Sequence, residues 1–156
     1  MNARSAAIAT ALLLSGCTAG GINSGTGSGA SVSSVTTIDV SIAAFGARST
    51  PAGTGLGYSP DAVTVAVGSG VRFVNVDNTS HTATAIPGAS TFPAQSPFTF
   101  AATQPGATDD ISGNWGAGVL QPGQASAVFL IDQPGEYLYG CFFHYSGGMR
   151  GVIGAK

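Results

Sequence analysis

From about residue 38 onward the chain alternates apolar and polar positions with the period of two that marks β-strands. Strands are predicted near residues 38–45, 62–67, 71–76, 81–85, 126–131, 135–141 and 151–154. Turn signals separate them: the glycine-rich run 53–57, then Gly68-Ser-Gly70, Asp77-Asn78, Gln121-Pro-Gly123 and Gln133-Pro-Gly135. No stretch sustains the 3.6-residue period of a helix. Several short strands with Gly and Pro between them predict an all-β sandwich or barrel. Residues 86–123 break the pattern. They carry Pro87, Pro93, Pro97 and Pro105 and are expected to form a long connection with a short strand inside.

Composition fits this reading. Only 8% of residues are charged and 44% are hydrophobic, with 24 Gly and 8 Pro in 156 residues. Disordered chains are charge-rich and poor in β-branched residues, so low charge here does not signal disorder. The net charge is −2 and no basic patch exists, which removes electrostatic support for nucleic-acid binding.

The N-terminus has a different layout. Arg4 precedes a short apolar run from Ala6 to Leu14, too short to span a bilayer and arranged like a secretory signal. Leu14-Ser15-Gly16-Cys17 resembles the lipobox of bacterial lipoproteins. That resemblance implies a signal peptide over 1–16, cleavage before Cys17 and lipid on its sulfur. Stable anchoring takes two or more acyl chains. Residues 17–36 then form a lipidated cysteine and a Gly/Ser-rich tether with a reach of about 25 Å. The folded domain is assigned to 37–156, exported and held at a membrane facing the periplasm or cell exterior.

Within that domain the metal-binding side chains are few. Cys141 is its only cysteine, His81 and His144 its only histidines, and Met149 its only methionine. A lone cysteine cannot close an internal disulfide, so in an oxidising compartment it needs another role. Cys141-x2-His144-x4-Met149 follows a predicted strand, and a loop of that length can present three side chains to one ion. His81 is the one histidine left to complete the set. Two imidazoles and a thiolate with a weak axial thioether form the ligand set of blue copper sites. Zinc is disfavoured because methionine is a poor zinc ligand. Dinuclear two-cysteine copper, multicopper oxidase and nitrite reductase chemistries each need ligands beyond these four, so an enzyme is not expected.

The chain resembles the plastocyanin/pseudoazurin branch of the cupredoxins over residues 37–156. The likeness rests on Tyr58-Ser-Pro-Asp-Ala-Val-Thr-Val-Ala-Val-Gly68, Val71-Arg-Phe-Val-Asn75, Ser80-His81-Thr82 and the run from Gly135 through Cys141, His144 and Met149 to Gly151. It implies a Greek-key β-sandwich, one type 1 copper and single-electron shuttling between larger redox proteins. Two positions depart from the family. Phe143 stands where Pro is usual before the second histidine, and it keeps an N–H that Pro would lack. That N–H is expected to reach the Cys141 sulfur and raise the potential. Thr82 stands where plant members often carry Asn.

In such sites electrons leave through the exposed edge of the loop histidine, here His144. Phe142, Phe143 and Tyr145 are expected to surround it as an apolar docking patch for a redox partner, with weak salt dependence. A monomer is expected. Tyr137 and Tyr139 are read as core or tyrosine-corner residues, and Trp115 as a core anchor. Arg150 has two readings, tuning the metal or ending the loop as a solvated charge. The alternative function is copper storage, delivery or resistance with the same ligands.

Overall fold

The computed structural model describes residues 32–98 and 110–156. The signal segment, Cys17, most of the tether, Pro105 and Asp109 lie outside them. Ten strands build the fold: β1 (Val35–Val40), β2 (Arg48–Thr50), β3 (Gly53–Gly55), β4 (Tyr58–Ser59), β5 (Ala62–Val65), β6 (Gly70–Asn75), β7 (Thr84–Ala85), β8 (Phe129–Leu130), β9 (Gly135–Gly140) and β10 (Arg150–Ala155). Among the described residues there is no α-helix, and so no helix long and apolar enough to cross a membrane.

Two four-stranded sheets, in the orders β4-β1-β6-β8 and β5-β10-β9-β7, form the sandwich. β1 runs parallel to β6, and β10 parallel to β5, while the remaining neighbours are antiparallel. The chain crosses from one sheet to the other at Pro60, between β4 and β5, where the missing N–H would break a ladder. Inward residues alternate as the sequence predicts. Ile38 and Val40 on β1, Val71 and Phe73 on β6, Tyr139 on β9 and Ile153 on β10 meet in one core.

That core is aromatic. Phe73 stacks on Trp115 at 5.6 Å and meets the edges of Tyr139 (5.2 Å), Tyr58 and Phe129 (6.2 Å each). Trp115 is therefore the core anchor expected. Tyr139 is core as well, and the Tyr137 hydroxyl donates to Gln133 O at 3.0 Å, a corner of the tyrosine kind.

The structure differs from the sequence pattern in several places. The strand expected over 38–45 is β1, which starts at Val35 and ends at Val40, and the strand expected over 81–85 is reduced to β7. The glycine-rich run 53–57 is not simply a turn: β3 occupies its start and pairs with β2 in a small hairpin. The strand expected over 126–131 shrinks to β8, because the Ser126 hydroxyl, not a backbone carbonyl, accepts the Phe73 N–H. The connection 86–98 folds back over the outer face of the second sheet. There it covers Leu138 and Val152, with Ile86 and Ala52 buried and Phe92 and Phe98 packed against the cluster.

Candidate metal centre

Three strand ends bring the site together. His81 precedes β7 and is pinned by reciprocal bonds, its N–H to Leu120 O at 3.1 Å and its O from Leu120 N–H at 2.8 Å. Cys141 follows β9. The loop then runs through His144 and a 3₁₀ turn over Tyr145–Gly147 to Met149, immediately before β10. The Cys141 N–H donates to Met149 O (3.0 Å) and the Met149 N–H to His144 O (3.2 Å), so the loop closes on itself. Gly148 ends the turn at φ +97°, a left-handed conformation that glycine reaches without a Cβ clash.

The donor atoms converge. His81 Nδ1 lies 3.1 Å from His144 Nδ1 and 3.8 Å from Cys141 Sγ, and His144 Nδ1 lies 3.4 Å from the same sulfur. All three atoms sit within 4.8 Å of one another. A triangle of this size puts a central ion roughly 2 Å from each donor, the length of a metal–imidazole bond. Met149 is fully buried, and its side chain lies against Gly57. A Cβ at Gly57 would stand 2.7 Å from Met149 Cγ, so glycine at that point makes room for the thioether.

Surrounding groups hold the donors. The Thr82 N–H donates to Cys141 Sγ at 3.4 Å, and the Thr82 hydroxyl accepts the Phe142 N–H at 2.8 Å. Thr82 thus ties the His81 segment to the cysteine loop, a role its position after His81 did not reveal. Burial pushes the Cys141 thiol above its usual value, while the backbone N–H groups of Thr82, His144 and Phe143 oppose that rise by favouring thiolate. Burial and the facing His81 ring hold His144 below the usual histidine range. Asp77 lies 3.0 Å from His81 Nε2. Burial alone would raise its carboxyl, but hydrogen bonds from His81, Asn78, Ala43 and Ser41 hold it well below the usual carboxylate range. Asp77 was legible only as a turn residue. The signal available was its place four residues before a histidine.

The surface around His144 is narrower than the sequence suggests. Phe143 is 49% exposed, and Phe142 is half-buried with its ring 6.1 Å from Phe98. Tyr145 does not belong to an exposed patch, since it is 1% exposed. Its hydroxyl donates to Pro93 O at 2.9 Å and Phe98 meets its ring edge-on at 5.6 Å, because the 86–98 connection lies over it. Arg150 is not the solvated end-of-loop charge of its second reading. Its guanidinium sits 4.8 Å over Tyr145 and 5.5 Å from Phe92, and donates to Pro93 O, so it staples the connection to the loop.

The family of copper binding proteins described as plastocyanin/azurin matches residues 47–156. No curated protein matches the chain. Similar solved structures include a purple cupredoxin from Nitrosopumilus maritimus, at 19% identity over 77% of this chain and 98% of that one, with a TM-score of 0.49. Auracyanin from the photosynthetic bacterium Roseiflexus castenholzii is 24% identical over 82% of this chain and 99% of its own, at a TM-score of 0.49. Plastocyanin from Dryopteris crassirhizoma is 24% identical over 78% and 100%, at 0.46.

Proposed function

The chain belongs to the plastocyanin/azurin family of copper-binding proteins, so its cofactor is one copper ion, and from that premise we propose a membrane-tethered single-electron carrier. His81, Cys141, His144 and Met149 are the ligands in this reading. The observation that carries it is the convergence of two Nδ1 atoms and one Sγ within 4.8 Å. Copper cycling between Cu(I) and Cu(II) would supply the one-electron chemistry. The chain's own part is to hold the donors still and keep water out. Bonds between Leu120 and His81 fix one ligand segment and the bond between Cys141 and Met149 closes the other, so little has to move when the charge changes.

His144, partly exposed, is the exit for the electron, and Phe143 beside it is the apolar contact for a redox protein partner. Small contacts of this kind suit transient encounters. The Cys17 anchor and Gly/Ser tether would keep the domain near a membrane while letting it turn between partners. Copper reconstitution of residues 32–156, read by visible and EPR spectra, tests the assignment. An intense thiolate absorption with narrow copper hyperfine splitting is expected. A colourless protein that gives up Cu(I) readily would favour copper storage or delivery instead.

Two further outcomes follow from the site. Phe143→Pro removes the N–H that favours the Cys141 thiolate. The backbone donor at hydrogen-bond distance from the sulfur is the Thr82 N–H (3.4 Å), so the Phe143 N–H counts for no more than one hydrogen bond of about 0.5–1.5 kcal/mol, and the potential should fall by at most roughly 65 mV at about 59 mV per tenfold for one electron. A potential that stays the same or rises would overturn this. Copper uptake should also depend on pH. The raised Cys141 thiol must lose its proton to bind, whereas His144, with its lowered pKa, is already neutral near pH 7. Affinity is therefore expected to rise about tenfold per pH unit from about pH 7 past the ordinary thiol value near 8.5. Competition titrations across that range check the slope. A flat profile would mean that no proton leaves.

A further inference from the structure

We propose that Asp77 is a positioning residue that presets the His81 imidazole for copper and biases the site toward Cu(II). This rests on the copper reading above and concerns which oxidation state that same site prefers. His81 turns Nδ1 toward Cys141 and His144 and Nε2 toward Asp77 Oδ2, 3.0 Å away. The side chains of His81 and Asp77 are 0% and 4% exposed, so solvent scarcely screens the pair.

The carboxylate is itself held from several sides. Oδ2 accepts the N–H groups of Ile42 (2.9 Å) and Ala43 (3.3 Å), just beyond the end of β1. Oδ1 accepts the Asn78 N–H at 2.7 Å. The Asp77 N–H donates to Asn75 Oδ1 at 2.9 Å, and Asn75 Nδ2 in turn donates to Thr79 O and Leu120 O, both at 2.8 Å. Leu120 is the residue whose backbone pins His81. One network therefore fixes both ends of the Asp77–His81 contact. A carboxylate that served only to cap the turn would not need a histidine ring nitrogen as a partner.

A neutral imidazole carries one proton on one of two nitrogens. Facing a carboxylate, that proton sits on Nε2 and leaves the Nδ1 lone pair aimed into the site before any metal arrives. The same hydrogen bond makes the imidazole a stronger donor. The buried negative charge also stabilises the more highly charged ion. Each effect favours Cu(II). The two histidines then divide the work. His81 is buried and charge-balanced, whereas His144 is partly exposed and available to a partner.

The test begins with metal-free wild-type protein labelled with ¹⁵N, in which long-range proton–nitrogen spectra assign the tautomers. His81 is expected with its proton on Nε2. Asp77→Asn keeps the size and one oxygen acceptor, for either the Ile42 and Ala43 N–H groups or the Asn78 N–H, and removes the charge. Its Cu(II) affinity should fall about 10–100-fold and its Cu(I) affinity at least tenfold less. The potential then rises by about 59 mV for each tenfold difference. A His81 proton on Nδ1 in the metal-free wild type, or an unchanged ratio of Cu(II) to Cu(I) affinity in the variant, would overturn the proposal. The tautomer measurement needs no variant, so the presetting of His81 can be overturned even if Asp77→Asn fails to fold, and Asp77→Glu, which keeps the charge, then carries the affinity ratio, expected to stay within about threefold of wild type. A copper-loaded wild type without the thiolate band would sink the copper reading instead, and the metal-free tautomer would still decide Asp77's part.

Discussion

Cys141→Ser is expected to abolish the intense visible absorption of the copper-loaded protein while leaving the metal-free fold standing. The sulfur is one corner of the donor triangle, 3.4 Å and 3.8 Å from the two Nδ1 atoms. A serine oxygen is smaller and harder, and copper selects soft thiolate. What remains is two imidazoles and a weak thioether, a set with no thiolate to give the colour. The fold should tolerate the change. Cys141 is fully buried, but the Thr82 N–H that donates to sulfur can donate to the hydroxyl instead. The stability change should then stay within about 1–2 kcal/mol. Visible spectra after copper addition, with far-ultraviolet circular dichroism on the metal-free variant, check both halves. An unchanged absorption band would remove Cys141 from the ligand set.

Phe73→Ala should do the reverse, crippling the fold through a residue that is not itself a candidate ligand. Phe73 is fully buried on β6 and meets Tyr58, Trp115, Phe129 and Tyr139. Truncating a buried phenylalanine costs about 3–5 kcal/mol, against a total stability of about 5–15 kcal/mol for an ordinary domain. The metal-free variant should therefore sit near its unfolding threshold. Copper should recover part of the loss, because a ligand at a thousand times its Kd adds about 4 kcal/mol to the native state. Urea unfolding with and without copper separates the two contributions. A loss below about 1 kcal/mol would show that the aromatic cluster is not central to the fold.

The two variants divide the protein along the line between what was and was not legible in its sequence. Phe73 was readable as a strand residue because Val71 and Phe73 flank Arg72 with a period of two. Cys141, His144 and Met149 were readable because the domain holds almost no other metal-binding side chains and because the three fall on one short loop. Asp77 was not readable as a partner of His81. In the sequence it belongs to Asp77-Asn78, a turn signal, and nothing local says that its carboxylate faces an imidazole rather than water. Tyr145 was misread for the opposite reason. Its neighbours Phe142 and Phe143 suggest an exposed apolar loop, but Pro93 and Phe98 come from about fifty residues away to bury it.

By itself, then, the sequence determined the strand periodicity, an all-β sandwich or barrel and the identity of the four candidate ligands, and its resemblance to a known family chose the sandwich. Those follow from chemistry that is local: alternation places side chains on faces, and scarcity leaves few donors to choose from. Only the tertiary structure decided how wide the surface beside His144 is, what covers the outer face of the second sheet and which group holds the far nitrogen of His81. The physical reason is that burial and hydrogen-bond partnership are properties of two segments at once. Residues 86–98 and Thr82 acquire their roles only when the chain packs them against the Cys141–Met149 loop far along the sequence, and the Asn75–Asp77 turn only when residues 42–43 and Leu120 fix it beside His81.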